Sequence, residues 1–138
     1  MITAVDTNVL LDVFADDPAY GDRSAAALRQ CLRDGVVVAC DVVWAETAAS
    51  FPDNDRFAKA MTAIGASFSP IDQASAEMAG ALWAQRRKRD GKRGRVVADF
   101  LIAAHALVQC DRLLSRDRGF YRKHFSKLTL LDPASKDP

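Results

Sequence analysis

Cysteines and long apolar runs are both scarce in this sequence of 138 residues. The three cysteines, Cys31, Cys40 and Cys110, are odd in number, widely spaced and without a CxxC pair, so neither a disulfide framework nor a zinc knuckle is indicated. No stretch reaches the apolar length that a membrane span requires, and the N-terminal residues lack the basic leader of a signal peptide. We therefore expect buried cysteines in a reducing compartment, a cytoplasmic location and no membrane partner.

Glycine and histidine are also sparse, and neither forms a known motif. The seven glycines make no GxGxxG, GxxxxGK or GxSxG pattern, which disfavours dinucleotide, P-loop and serine-hydrolase sites. The two histidines, His105 and His124, lie too far apart in sequence for a zinc-binding helix motif. Because His105 lies in an apolar helical segment, we expect it to be a hydrogen-bonded residue of the core.

The remaining composition is that of an ordinary globular domain, with 49% hydrophobic and 27% charged residues. Short apolar runs, "ITAV", "VVVAC", "RLLS" and "LTLL", alternate with segments of helical spacing. This alternation predicts an α/β fold with a mostly parallel central sheet covered on both faces. We expect one domain over residues 1–132 and a flexible tail over residues 133–138.

The net charge of +1 conceals a concentrated basic segment at residues 86–95, "RRKRDGKRGR". Of the 19 basic and 18 acidic residues, this segment contains seven and one, so the rest of the chain has 12 basic and 17 acidic residues. Such a segment suits a polyanion such as nucleic acid, although a solvated helix end and loop would have the same composition. The candidate RNA-binding residues are Arg86, Arg87, Lys88, Arg89, Lys92, Arg93 and Arg95.

Four acidic residues occupy positions that are unusual for solvated carboxylates. Asp6 directly follows the first predicted strand, and Asp117 lies just past the strand in "RLLS", so both belong to the carboxyl edge of the sheet, where active sites of such folds lie. Glu46 and Asp99 lie in helical segments and have mainly apolar neighbours one turn away. Each has an ordinary alternative, as a capping residue for the three aspartates or as a solvated or arginine-paired group for Glu46.

If these carboxylates converge, they repel one another by about 4 kcal/mol per pair at 4 Å and an effective dielectric constant near 20, so the cluster needs protons or cations. An all-oxygen ligand set favours Mg²⁺ or Mn²⁺ over zinc. A divalent ion held by acids activates water and neutralises phosphoryl oxygens, which makes phosphodiester hydrolysis the natural reaction. The basic segment would then bind the backbone of the nucleic acid.

Four segments, "VDTNVLLDVF", "VVWAETAASF", "VVADFLIAAHAL" and "LLSRDRGF", resemble the four acidic motifs of PIN-domain ribonucleases. Their size and order most resemble VapC-type toxins of bacterial toxin-antitoxin pairs, and the match covers essentially the whole chain. The resemblance implies a three-layer α/β/α sandwich, Mg²⁺ or Mn²⁺ dependence and endonucleolytic cleavage of RNA. It also implies a homodimer and a small antitoxin that occupies a groove near the acids, where a basic side chain can neutralise them.

The resemblance assigns roles to individual residues of the acidic motifs. Asp6 and Asp99 are expected to bind the metal directly, whereas Asp117 and Glu46 bind a second ion, act through water or orient the attacking water. The supporting polar groups are Asn8, Ser115 and Thr7, with capping of the helix as the alternative role of Thr7. Five apolar residues either line the antitoxin groove or, for most of them, pack in the core: Val9, Leu10, Val13, Phe14 and Trp44.

Two other functions remain open at the level of the sequence. A phosphatase of the haloacid dehalogenase class also has an aspartate after its first strand, but that class needs a second aspartate where this chain has Asn8. A non-catalytic RNA-binding or regulatory module would use residues 86–95, and its acids would be structural. Metal-dependent cleavage of RNA distinguishes the nuclease from both.

Overall fold

A computed structural model describes residues 1–90 and 97–134, with side chains described for 1–86 and 97–134. Its strands are β1 (Ile2–Val5), β2 (Val36–Ala39), β3 (Ala66–Phe68), β4 (Arg112–Leu114) and β5 (Leu130–Leu131). Its helices are α1 (Thr7–Phe14), α2 (Gly21–Asp34), α3 (Asp41–Ala48), α4 (Asn54–Ile64), α5 (Gln73–Asp90), α6 (Val97–Gln109) and α7 (Arg118–His124).

The five strands form one sheet in the order β3-β2-β1-β4-β5, and every neighbouring pair is parallel. The central strands β1 and β4 are paired in register, with Val5 opposite Leu114, so the residues that follow them emerge at the same edge. The predicted α/β fold with a parallel sheet is confirmed. The strands are short and apolar because helices cover the sheet.

The core lies between the sheet and the helices and contains the apolar residues that the strand and helix patterns predict. Val37, Leu113 and Leu114 are fully buried in the strands. Cys31 and Cys40 are buried free thiols, as expected, whereas Cys110 is only partly buried. Val9 and Leu10 have no exposed surface, so they belong to the core and cannot line a groove.

Local signals account for some helix ends but not for others. Asp53 caps α4 by accepting a hydrogen bond from the Arg56 backbone N–H, and Gly65 ends that helix at a φ of 82°, a conformation that favours glycine. Asp41 is of a residue type that often caps helices, but it does not cap α3. Cys40 is the capping residue, and Asp41 is the first residue of the helix, where its carboxylate accepts a hydrogen bond from the Ile71 backbone N–H at 3.4 Å.

His105 is a buried, hydrogen-bonded core residue, as the sequence predicts. It is 1% exposed, and its Nε2 lies 2.9 Å from the Ser69 hydroxyl oxygen. Burial lowers the pKa of His105 below its ordinary value of 6.5, and the nearby charges of Asp41 and Asp72 only partly offset this effect. The folded protein therefore favours the neutral ring.

A pH-dependent loss of stability follows from this lowered pKa. As the pH falls below 6.5 towards the lowered pKa, the unfolded chain binds a proton at this ring before the folded chain does, so the free energy of unfolding decreases. Urea denaturation at several pH values should show this decrease in the wild type and a shallower one in His105→Gln. In the control His124→Gln, the contribution of His105 to the pH dependence of the free energy of unfolding should be unchanged. If His105→Gln has the same pH dependence as the wild type, His105 is not the group responsible.

Two sequence-based expectations concern the chain ends and the membrane. Among the helices that the structure describes, none is long and apolar enough to cross a membrane. Of the predicted flexible tail, Pro133 is buried and the Ala134 backbone N–H donates a hydrogen bond to Asp132. Residues 135–138 lie outside the described part of the chain.

Candidate active site

Asp6 is the first residue after β1 and caps α1. Its backbone N–H donates a hydrogen bond to the Leu114 carbonyl oxygen at 2.9 Å, which extends the pairing of β1 and β4 by one residue. Its side-chain Oδ1 accepts a hydrogen bond from the Thr7 backbone N–H at 2.8 Å. With 6% of its surface exposed, this carboxylate lies largely inside the protein at the carboxyl edge of the sheet.

The second oxygen of Asp6, Oδ2, accepts hydrogen bonds from three side chains. The Ser115 hydroxyl donates at 2.8 Å, the Tyr121 hydroxyl at 2.9 Å and the Asn8 amide at 3.5 Å. Asn8 also donates to the Ser115 hydroxyl oxygen at 3.3 Å. These neutral donors fix the orientation of the carboxylate and replace part of its lost hydration.

The hydrogen bonds do not fully compensate the burial of Asp6. Burial raises the pKa of this carboxyl group, and the negative charge of Asp99 raises it further, whereas the hydrogen bonds from Ser115, Tyr121 and Thr7 lower it. The net result is a pKa above the ordinary value of 3.8. The site therefore favours a positive charge next to Asp6.

Asp99 and Asp117 approach the same region from two other elements. Asp99 is the third residue of α6 and is partly exposed, and Asp117 immediately precedes α7, which its side chain does not cap. Burial, followed by the charges of Asp6, Asp99 and Asp117, raises the pKa of the Tyr121 hydroxyl well above its ordinary value of 10. Three of the four acids thus act on one buried hydroxyl group, which stays protonated and donates to Asp6.

Glu46 lies on α3 and is exposed, although its neighbours in sequence are mainly apolar. The reason is that Val42 and Ala45 do not face only the core: they line, with Glu46, an open groove of about 640 Å³ between α3, α5 and α6. Thr7 links Glu46 to the first motif because its hydroxyl donates a hydrogen bond to Glu46 Oε1 at 2.8 Å. The alternative that Thr7 only caps the helix is excluded, since Asp6 is the capping residue.

The donor atoms suit a hard divalent cation, because they are carboxylate oxygens on a largely buried Asp6 and on nearby Asp99 and Asp117. Within the described ranges, however, no three His, Cys, Asp or Glu side chains lie close enough together to hold an ion. The set fits Mg²⁺ or Mn²⁺ by its chemistry.

Three residues near the site were not identified from the sequence. Tyr121 lies one helical turn after Asp117, and its buried hydroxyl binds Asp6. Asp12 is 4% exposed and accepts two hydrogen bonds from Arg116, at 2.6 Å from Nε and 2.9 Å from a terminal nitrogen. The sequence signals for Asp12 and Arg116 are an acidic residue on the core side of α1 and an arginine between Ser115 and Asp117.

Of the candidate RNA-binding residues, only Arg86 has a described side chain. It is partly buried, and its guanidinium carbon lies 5.9 Å from the centre of the Phe100 ring and 5.6 Å from that of Phe120. Residues 87–89 continue α5, with side chains that are not described. Lys92, Arg93 and Arg95 lie outside the described residues.

Solved structures of toxin-antitoxin proteins have the same fold as this chain. VapBC2 from Rickettsia felis, bound to a DNA fragment from its promoter, has a TM-score of 0.74 at 16% identity, covering 96% of this chain and 98% of that chain. VapBC-1 from nontypeable Haemophilus influenzae has a TM-score of 0.71 at 18% identity, covering 98% and 100%. FitAB bound to an IR36 DNA fragment has a TM-score of 0.73 at 18% identity, covering 100% and 99%.

No curated protein was found to match the sequence. The model of the PIN domain family matches residues 3–126, a range that begins in β1, ends after α7 and includes Asp6, Glu46, Asp99 and Asp117. The match confirms the family that the four acidic motifs resemble. The chain belongs to the PIN domain family.

Proposed function

We propose that this PIN domain is a metal-dependent endoribonuclease that acts as the toxin of a toxin-antitoxin pair. The observation that carries the proposal is the environment of Asp6. Its buried carboxylate has a raised pKa because burial and the charge of Asp99 outweigh its hydrogen bonds, so a cation would be bound favourably beside it.

Asp6 and Asp99 would hold Mg²⁺ or Mn²⁺, with Asp117 as a further or water-mediated ligand. The ion, when bound, would supply an activated water molecule and neutralise charge on the phosphodiester. Ser115, Tyr121 and Asn8 hold Asp6 in one orientation through its Oδ2 atom. Glu46, held by the Thr7 hydroxyl at an exposed position, is the group that would orient the attacking water or accept its proton.

A cognate antitoxin is the proposed protein partner. Its support is that structural neighbours include VapBC and FitAB complexes. The open groove beside Glu46 is lined mainly by apolar residues and bordered by Asp41 and Glu46, which suits a segment with apolar and basic side chains. Of the apolar residues suggested for such a groove, Val13, Phe14 and Trp44 are partly buried, but they are not among the residues that line this one. The homodimer and the cytoplasmic location belong to the same proposal.

Cleavage of RNA by the purified chain tests the activity. We expect endonucleolytic products with Mg²⁺ or Mn²⁺, no products with excess EDTA, and restored cleavage when metal is added back. Single-stranded DNA of the same sequence is the matched substrate control. Binding of RNA without metal-dependent cleavage would favour the non-catalytic RNA-binding alternative, and hydrolysis of phosphate monoesters alone would favour a phosphatase.

Co-expression tests the partner. A toxin of this type is expected to arrest growth when expressed alone and to be neutralised by a small protein encoded next to it. Growth arrest that persists with every neighbouring small open reading frame would contradict the toxin-antitoxin assignment. It would leave the nuclease assignment intact.

A further inference from the structure

The turn between β4 and α7, residues 115–117, carries two residues of the candidate site. Ser115 donates its hydroxyl hydrogen to Asp6 Oδ2, and Asp117 contributes one of the charges that act on Tyr121. Within the turn, the Asp117 backbone N–H donates to the Ser115 hydroxyl oxygen at 3.0 Å. The positions of both site residues therefore depend on the conformation of three consecutive residues.

Arg116 is the middle residue of this turn, and its side chain contacts α1 and the residue that precedes α2. Its guanidinium donates to both carboxylate oxygens of Asp12, at 2.6 Å and 2.9 Å. The Arg116 guanidinium carbon lies 4.1 Å from the centre of the Tyr20 ring. A planar fork that pairs with a carboxylate and also lies over an aromatic ring has one defined position.

The acceptor, Asp12, is itself held in place. It is buried, and the Ser24 hydroxyl donates to its Oδ2 atom at 2.8 Å. The Arg116 backbone N–H donates to Asn8 Oδ1 at 3.1 Å, and Asn8 is the residue whose amide group contacts Asp6 and Ser115. The turn is thus tied to α1 through both the backbone and the side chain of Arg116.

We propose that Arg116 is a positioning residue of the metal site: its bidentate pair with Asp12 holds the β4–α7 turn so that Ser115 and Asp117 can support a cation bound at Asp6. The proposal rests on the proposed function. Because both oxygens of Asp12 are bonded to Arg116, Asp12 is the anchor of the turn and not a metal ligand. This pair occupies Nε and one terminal nitrogen of the guanidinium group, so we expect its main role to be the attachment of the turn and not RNA binding.

Arg116→Lys tests the proposal because lysine keeps the charge but loses the planar fork. The matched control is Arg112→Lys, at the other end of β4, where Arg112 donates to Asp34 and to the Thr3 hydroxyl oxygen, each at 2.9 Å. Titration of the protein with Mn²⁺ in the absence of RNA is expected to show about tenfold weaker binding for Arg116→Lys. For Arg112→Lys we expect a change of less than about twofold.

Cleavage kinetics provide a second measurement that a purely structural role would not change in this way. In Arg116→Lys, the Mn²⁺ concentration for half-maximal cleavage should rise by the same factor, whereas the rate at saturating Mn²⁺ and the KM for RNA should stay close to the wild type.

Asp12→Asn should weaken Mn²⁺ binding by a similar factor. The double variant should bind Mn²⁺ about as weakly as either single variant, because both substitutions remove the same interaction. Circular dichroism verifies folding, and Tyr20→Leu, which removes only the ring beneath Arg116, is the milder variant if Arg116→Lys does not fold.

The outcomes separate this proposal from the proposed function. If the wild type binds Mn²⁺, and Arg116→Lys and Arg112→Lys bind it with equal affinity, then the positioning role is overturned and the proposed function is not. A raised KM for RNA with unchanged Mn²⁺ affinity would also overturn it and would assign Arg116 to RNA binding. Absence of Mn²⁺ binding by the wild type would overturn the proposed metal site and the role of Arg116 with it.

Discussion

Replacement of Asp99 by asparagine is expected to reduce metal-dependent cleavage of RNA by about 100-fold or more and to leave the fold intact. Asp99 lies in the first turn of α6, and its charge acts on both Asp6 and Tyr121. Asparagine has the same shape but lacks the charge that a divalent ion requires from its ligands. The stability change should be within about 1 kcal/mol, because a partly exposed carboxylate in a first helical turn contributes no more than this.

Asp55→Asn is the matched control for this variant. Asp55 is also an acidic residue in the first turn of a helix, α4, but it is exposed and has no connection with the site. Its cleavage rate should equal that of the wild type. A folded Asp99→Asn protein that cleaves RNA at the wild-type rate would contradict the assignment of the acidic site.

Mg²⁺ is expected to raise the melting temperature of the wild type by several degrees and that of Asp6→Asn by much less. A ligand at 100 times its Kd stabilises the folded state by about 2.7 kcal/mol, and each kcal/mol corresponds to roughly 2–8 °C in domains of this size range. The effect depends on Asp6 because its carboxylate is buried and its pKa is raised, so that a nearby cation stabilises its negative charge. Differential scanning calorimetry with and without Mg²⁺ provides the measurement.

Asp34→Asn distinguishes loss of a ligand from loss of a carboxylate elsewhere. Asp34 lies at the end of α2, at the opposite edge of the sheet, and pairs with Arg112 at 2.9 Å. This variant is expected to have a lower melting temperature but to keep the full increase with Mg²⁺. Equal increases in Asp6→Asn and the wild type would show that Asp6 does not bind the ion.

Four of the five strands could be predicted because their apolar runs carry a local signal. "ITAV" and "VVVAC" have the length and uniform apolarity of buried parallel strands, and both form strands of the central sheet. Gly35 and Gly65 directly follow α2 and α4, the position where glycine commonly ends a helix. The start of α3 carries a weaker local signal, because Cys40 precedes the helix without a side-chain cap and Asp41, a capping type of residue, is already its first residue.

The sequence by itself determined the parallel α/β fold and the edge at which Asp6, Ser115 and Asp117 emerge, since residues that follow parallel strands meet at one edge of the sheet. Only the tertiary structure decided what compensates Asp6. The Tyr121 hydroxyl is 115 positions away in sequence, and Arg116 is 104 positions from Asp12. It also decided that Glu46 is exposed beside an open groove. Periodicity reports which face of an element is apolar, but hydrogen bonds between distant side chains depend on packing that no local pattern encodes.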